Sequence, residues 1–268
     1  MIWLTLRQNR VAALGAALAA IALFAVVLYL QVEASAITGS GLAAARRWSE
    51  LRDTFSVVRG VMFALPLLPG LFVGAPLVAS ELETTVNRLV WTQSITRRRW
   101  LVGKLVVVLL PALALAVVLS LLTQWTATRL DGGGLWEDDY DVVGAVFVGY
   151  VVFSLALGIA AGALLGRLLP AIAVTFFGFV VCRVVVVQLR PHFMPFVTAT
   201  WRPLIGQPRI PSGSWVVNTD FSSQTLATIY YQPAERFWTF QAIEAAIFIV
   251  PSALLLAVAA RWVLRHTG

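Results

Sequence analysis

Long apolar stretches constrain this chain more than any other feature of its sequence. Several run for about twenty residues, which is the length a helix needs to cross a roughly 30 Å hydrocarbon core at 1.5 Å rise per residue. Of the 268 residues, 59% are hydrophobic and 12% are charged, whereas soluble domains have about 45–50% and about 25%. The sequence therefore predicts an integral membrane protein with an all-α fold, organised as a single transmembrane domain over residues 1–268.

Six stretches qualify as transmembrane spans. They cover residues 11–30, 60–79, 105–123, 142–166, 168–189 and 239–260. A long loop at 190–238 separates the last two, and it mixes Pro, Gly and Ser with Trp and Tyr. Such aromatic residues are typical of a membrane-interface belt, and a vestibule that contacts substrate is the second interpretation.

The net charge of +7 is sorted by side of the membrane. With the amino terminus in the cytoplasm, the cytoplasmic segments carry a net charge of +8 and the outer loops a net charge of −1. Because Lys and Arg accumulate on the cytoplasmic side, we expect a multi-pass protein of the bacterial plasma membrane with both termini cytoplasmic. The basic balance then reflects topology, and nucleic acid is not a predicted partner.

The segment 80–100 is the longest predicted cytoplasmic connection and joins spans 2 and 3. Its pattern favours two short amphipathic helices: Ser80 can cap the first, and Glu81 and Glu83 in the opening turn suit the helix dipole. The simplest interpretation of Arg97 and Arg99 is that they anchor span 3 to anionic lipid.

This segment and its flanks resemble the permease subunits of ABC-2 type ATP-binding-cassette exporters, especially the small actinobacterial ones. The matching stretches are GAPLVA at 74–79, ELET at 81–84, RL at 88–89, WTQS at 91–94, TR at 96–97 and RWL at 99–101. The amino-terminal WLTLRQNR also resembles the opening of that family. Six spans and a long outer loop before the last are similar to the family pattern over the whole chain.

The resemblance implies a coupling helix between spans 2 and 3 that docks on a separate ATPase subunit, and a second copy of this chain in the transporter. The residues expected to couple to the ATPase are Glu81, Glu83, Arg88, Gln93, Thr96, Arg97 and Arg99. The implied function is ATP-driven export of a lipophilic or amphipathic cargo such as a drug, antibiotic, peptide or lipid.

The chain itself is not predicted to be an enzyme. Its Gly103-Lys104 pair is followed by Leu105 and lacks the upstream glycine of a phosphate-binding loop. We therefore expect no cofactor in this chain, with ATP and Mg bound by the partner subunit. His192, His266 and Cys182 do not have the pattern of a metal site, which makes an intramembrane enzyme the weakest alternative.

Two charged residues fall within predicted spans, Arg183 in the fifth and Glu244 in the sixth. Counted along the helices, they lie about 9 Å and about 8 Å below the outer ends. A structural ion pair, or two side chains that reach outward to the interface, is the favoured interpretation, and a role in substrate binding or gating is the alternative. The same residues support a competing function, an ion-coupled secondary transporter or channel.

Glycines recur at helical spacing in two spans. Gly158, Gly162 and Gly166 form a stripe in span 4, and Gly70 and Gly74 form a pair in span 2. Since small residues let helix backbones approach closely, we expect these stripes to pack helices together within the bundle.

Overall fold

The computed structural model describes residues 10–38, 41–83, 97–130, 135–136, 139–202, 208, 210–221 and 226–266. Helices dominate this part of the chain. They are α1 (Arg10–Ala36), α2 (Leu42–Ala64), α3 (Leu67–Pro69), α4 (Ala75–Glu83), α5 (Arg97–Leu130), α6 (Gly144–Leu165), α7 (Leu168–Leu189) and α8 (Phe237–His266). A π-helical turn, Gly70–Gly74, joins α3 to α4, and short 3-10 turns at Arg190–His192 and Ala234–Arg236 follow α7 and precede α8.

The described residues contain five helical segments that are long and apolar enough to span a membrane. They are Leu42–Ser80, Val102–Leu130, Gly144–Leu165, Leu168–His192 and Ala234–Arg265. The prediction of a mostly helical, multi-pass membrane protein is therefore confirmed. The first predicted span, 11–30, lies in α1, where the described residues form the shorter apolar stretch Ile21–Ala36, so the sixth span stays a prediction.

Several helices extend beyond the apolar stretches that predicted them. α2 begins at Leu42, 18 residues before the predicted start at 60, and α5 runs past 123 to Leu130. Polar contacts at the end of α5 support these extensions. Arg129 Nη1 of α5 donates to Gln31 Oε1 of α1 at 3.0 Å, and Arg52 Nε of α2 donates to the Leu130 carbonyl at 3.1 Å. Hydropathy marks the part of a helix that lies in lipid, whereas the helix itself ends where its backbone groups find other partners.

α6 is the central helix of the bundle. It packs against α4, α5, α7 and α8, and its buried residues lie on all sides of the helix. This burial explains why α6 is apolar around its whole circumference, as expected for a helix enclosed by others.

Backbone contact joins α6 to the segment from the π-turn to α4. A Cβ added to Gly158 would clash with the Gly70 carbonyl oxygen, one on Gly162 would lie 2.5 Å from the Ala75 oxygen, and one on Gly74 would lie 2.8 Å from the Leu155 oxygen. The two glycine stripes therefore face each other inside one subunit. Gly166 has a different position, because it ends α6 in the left-handed conformation with φ of 61°.

The loop 190–238 contains a three-stranded antiparallel sheet. Its strands are β1 (Val197–Trp201), β2 (Trp215–Asp220) and β3 (Ala227–Gln232), in the order β1-β3-β2. The register aligns Val197 with Tyr231 and Trp215 with Gln232. The all-α prediction is thus incomplete for this loop. Less exposed and more exposed residues alternate along β1 and β2, and along β3 as far as Tyr231, which is the period of a sheet with one covered face.

Candidate functional site

Four polar residues, three of them buried and one half-buried, form a cluster where α6, α7 and α8 meet the sheet. We term this the sheet end of the bundle. Asp141 precedes α6, Tyr150 lies two turns into α6, Arg190 follows α7 directly, and Glu244 lies two turns into α8. Tyr150 and Glu244 are fully buried, and Arg190 is 7% exposed. We name these four residues the acid–arginine cluster.

Arg190 is the centre of the cluster. Its Nε lies 2.8 Å from Glu244 Oε2 and its Nη2 lies 3.0 Å from Glu244 Oε1, so the pair is bidentate. Nη2 also lies 2.6 Å from Asp141 Oδ1. Because a bidentate guanidinium–carboxylate pair is strong and geometrically specific, this contact fixes the relative positions of the ends of α7 and α8.

The Tyr150 hydroxyl connects the two carboxylates. Its oxygen lies 2.6 Å from Glu244 Oε1 and 2.7 Å from Asp141 Oδ1, and it can accept a hydrogen bond from Arg190 Nη2 at 3.3 Å. Since a phenol has one proton to donate, only one of the two carboxylates can receive it at a time. The cluster thus joins three helices and the segment before α6 through one hydrogen-bonded network.

The predicted ion pair between Arg183 and Glu244 is replaced by the pair between Arg190 and Glu244. The sequence placed Arg190 in the outer loop, but the 3-10 turn continues α7 by three residues and directs this arginine into the bundle. The charged residues at the ends of spans 4 and 5, Asp141 and Arg190, were the signal in the sequence. Hydropathy alone assigned both residues to solvent.

Arg183 lies in a separate environment between α2 and α6. Its guanidinium carbon is 3.7 Å from the centre of the Phe63 ring and 4.4 Å from that of Tyr150, and its Nη1 donates to the Phe63 carbonyl at 2.6 Å. Its Nε and Nη2 are buried and have no hydrogen-bond partner among the described residues. Each unsatisfied buried group costs about 1–3 kcal/mol, and more when it is charged.

Aromatic stacking connects the sheet to the cluster. Trp136 is stacked between Tyr140 and Trp215 of β2, with ring centres 5.6 Å and 5.4 Å away. The Arg190 guanidinium lies 4.0 Å from the centre of the Tyr140 ring. Burial raises the pKa of the Tyr140 hydroxyl above its ordinary value, so this ring stays neutral over the physiological pH range.

Another ion pair at the sheet end attaches α2. Arg59 Nε lies 2.8 Å from Asp139 Oδ1, and the Asp139 side chain is 1% exposed. The acidic stretch before α6 therefore has a structural use, since Asp139 binds α2 while Asp141 binds the end of α7.

At the opposite end of the bundle, the structure describes only part of the predicted coupling surface. Glu83 ends α4 and is exposed, and its Oε2 accepts a hydrogen bond from the Leu168 backbone N–H at the start of α7 at 3.2 Å. Glu81, Arg97 and Arg99 lie on described helical backbone without a described side-chain environment. Arg88, Gln93 and Thr96 lie outside the described residues.

In the described ranges, no group of three or more His, Cys, Asp or Glu side chains could hold a metal ion.

The comparisons with known proteins give one finding. The model of a family described as ABC-2 membrane transporter related matches residues 11–190. No curated protein and no solved structure matches the chain.

Proposed function

This chain belongs to the ABC-2 membrane transporter related family, and from that membership we propose that it is the permease subunit of an ATP-driven exporter. Two copies of the chain form the transmembrane path, and a separate ATP-binding-cassette subunit binds ATP and Mg and supplies the energy. The cargo is lipophilic or amphipathic, of the class that includes drugs, antibiotics, peptides and lipids.

The extent of the family match carries this proposal. Residues 11–190 include nearly all of α1 and continue through α7, so the match covers most of the helical bundle. The family is that of the membrane component and implies an ATPase partner. The absence of a phosphate-binding loop from the sequence agrees with that division of labour.

The bundle offers a route by which a partner could act on the helices. α4 and α5 frame the segment 80–100, and α4 contacts α6 through glycine backbone. The Glu83 carboxylate also joins the end of α4 to the start of α7. Force applied to the segment 80–100 would therefore reach α4 and α7 together, which supports its assignment as the coupling segment.

Charge supports an orientation with both termini in the cytoplasm of a bacterial plasma membrane. The predicted cytoplasmic segments have a net charge of +8, as the positive-inside rule requires. In this orientation the acid–arginine cluster and the sheet lie on the outer side. The coupling segment then faces the compartment that contains ATP.

The exposed surface of the bundle suggests the chemistry of the cargo. α7 carries the exposed residues Phe177 and Val181, and α2 carries the half-exposed Phe63. A path between α2 and α7 of two copies would have mainly apolar walls. Such a path suits a lipophilic or amphipathic molecule better than a hydrated ion.

Co-purification with an ATPase tests the proposal. We expect the tagged chain, expressed with an ATP-binding-cassette subunit from the same genome, to form a complex whose ATP hydrolysis drives movement of a fluorescent lipid analogue across proteoliposomes. Charge reversal by Glu83→Lys and Arg97→Glu should abolish complex formation. The exposed residues Glu50 and Arg47 at the sheet end provide the matched control reversals, which should leave the complex intact.

Two results would contradict the proposal. Complex formation that survives reversal of Glu83 and Arg97 would remove the coupling assignment. Transport that follows an ion gradient without nucleotide would favour the ion-coupled transporter or channel, in which Arg183 and Glu244 act as charged relays.

A further inference from the structure

Arg183 has hydrogen-bonding capacity that the fold does not use. It lies six residues before the end of α7, which places it about 9 Å along the helix from that end. The side chain is 7% exposed, and its Nε and Nη2 have no partner among the residues that the structure describes. Burial of a charged group without partners is costly, so this edge of the guanidinium is suited to an anion.

Arg190 shows how the same protein satisfies a structural arginine. Its Nε and Nη2 form the edge of the guanidinium that holds the Glu244 carboxylate, and Nη2 also contacts Asp141. The same edge, Nε with Nη2, is the unpaired one in Arg183. Arg183 is therefore equipped for a bidentate anion, while the two nearest cluster carboxylates are already bound to Arg190.

The Phe63 ring covers the guanidinium from a half-exposed position. The ring lies 3.7 Å from the guanidinium carbon but is 51% exposed, so a change of its rotamer would not leave a cavity in the core. The flanking residues on α7, Val180 and Val184, are exposed and apolar. A molecule that reaches Arg183 from this surface would meet hydrocarbon contacts first and the charge behind them.

We propose that Arg183 binds the carboxylate or phosphate of an anionic amphipathic molecule through its Nε and Nη2, with Phe63 as a movable cover. Planar guanidinium edges favour these two anions because both accept two parallel hydrogen bonds. The inference rests on the proposed function where it identifies the molecule as cargo. A resident lipid headgroup offers the same chemistry, and the experiment separates the two sources.

Binding to the full chain alone tests the site. In nanodiscs of phosphatidylcholine, radiolabelled dodecyl phosphate should bind saturably at one molecule per chain, while dodecanol and dodecyltrimethylammonium should not compete for it. Arg183→Gln should weaken dodecyl phosphate binding at least tenfold. Arg183→Lys should weaken it about threefold to tenfold, because an ammonium keeps the charge and loses the bidentate edge.

Two further variants make the result specific. Arg46→Gln removes the same charge from an exposed position on α2 and should leave the affinity unchanged. Phe63→Ala keeps the guanidinium and removes its cover, so the association rate should rise severalfold. Unchanged affinity in Arg183→Gln would overturn the proposal. If that variant does not fold, unchanged affinity in Arg183→Lys together with an unchanged association rate in Phe63→Ala would overturn it equally.

The source of the anion follows from two additional measurements. Cargo is indicated if dodecyl phosphate stimulates ATP hydrolysis by the complex and Arg183→Gln removes the stimulation. A resident lipid is indicated if phosphatidylglycerol co-purifies with the chain in an Arg183-dependent manner and no stimulation occurs. Both results uphold the anion site. Failure to form an ATPase complex would overturn the proposed function and leave the binding result on the isolated chain standing.

Discussion

The pairing of Glu244 with Arg190 predicts which single substitutions destabilise the bundle most. Glu244→Gln keeps at most one of the two charge-assisted hydrogen bonds that Arg190 donates at 2.8 Å and 3.0 Å, because the amide NH2 cannot accept, but Asp141 still balances Arg190 at 2.6 Å. Arg190→Gln instead leaves the buried Glu244 and the half-buried Asp141 around Tyr150 without their cation. In soluble proteins, breaking a buried pair costs about 3–5 kcal/mol, whereas polar contacts in membrane bundles average about 0.6 kcal/mol.

The depth of the cluster below the membrane interface is intermediate, and we therefore expect free-energy costs between the values for soluble and membrane proteins. Glu244 is seven residues from the start of α8, or about 10 Å along the helix. When the protein unfolds and its helices separate but stay in the membrane, the Glu244 and Arg190 side chains can therefore reach the membrane interface. We therefore expect a loss of about 2 kcal/mol in the free energy of unfolding for Glu244→Gln and about 4 kcal/mol for Arg190→Gln.

A double-mutant cycle measures the pairing itself. Reversible unfolding in mixed micelles should give a coupling energy above about 1 kcal/mol between Glu244 and Arg190, and below about 0.5 kcal/mol between Glu244 and Arg183. Replacing both partners, as Arg190→Met with Glu244→Leu, should recover part of the stability that Arg190→Gln loses, because the half-buried Asp141 is then the one cluster carboxylate left without its cation. A larger coupling energy for Arg183 than for Arg190 would refute the assignment.

Three other contacts lead to predictions. Gly158→Ala should lower the free energy of unfolding by about 3 kcal/mol because the added Cβ meets backbone atoms. In the control Gly60→Ala the added Cβ meets nothing within 4 Å, so the free energy of unfolding should rise by up to about 1 kcal/mol. Equal effects of the two substitutions in thermal unfolding would contradict the backbone contact. Trp215→Ala removes the ring stacked on Trp136 and should make the sheet sensitive to limited proteolysis, while Val216→Ala on the exposed face of β2 should not. Glu83→Ala should cost about 1 kcal/mol, the usual value of a side-chain contact to a helix start, and no change in thermal stability would show that the contact is unimportant.

Hydropathy predicted the helical membrane architecture because bilayer thickness imposes a length on every spanning helix. The same signal failed where side chains pack against protein. Leu42 begins a helix whose first half is polar, and that half joins the bundle through contacts such as the hydrogen bond from Arg52 Nε to the Leu130 carbonyl. In the loop 190–238, Trp215 resembled an interface aromatic, yet it stacks on Trp136 and begins β2.

For the candidate site too, the sequence predicted what depends on neighbouring residues and missed what depends on contacts between distant ones. The sequence identified Arg183 and Glu244 as the charges within spans that needed partners, but partner choice depends on how α7 ends. A single 3-10 turn after Leu189 moves Arg190 into the bundle, and no local pattern distinguishes this turn from the start of a loop. The hydrogen bond from Arg183 to the Phe63 carbonyl joins residues 120 positions apart, so helical periodicity cannot predict it.

The glycine contact between α4 and α6 has a mechanical consequence. Interdigitated side chains resist translation of one helix along another, because each side chain must leave the gap that it fills before it can enter the next gap. The surface between Gly74 of the π-turn and Gly158 of α6 is backbone against backbone, so it has few such barriers. At the sheet end, the acid–arginine cluster holds α6, α7 and α8 at fixed relative depth. A shear of α4 along α6 would therefore be largest near Glu83 and would decrease toward the sheet, which makes the cluster the stationary end of the motion.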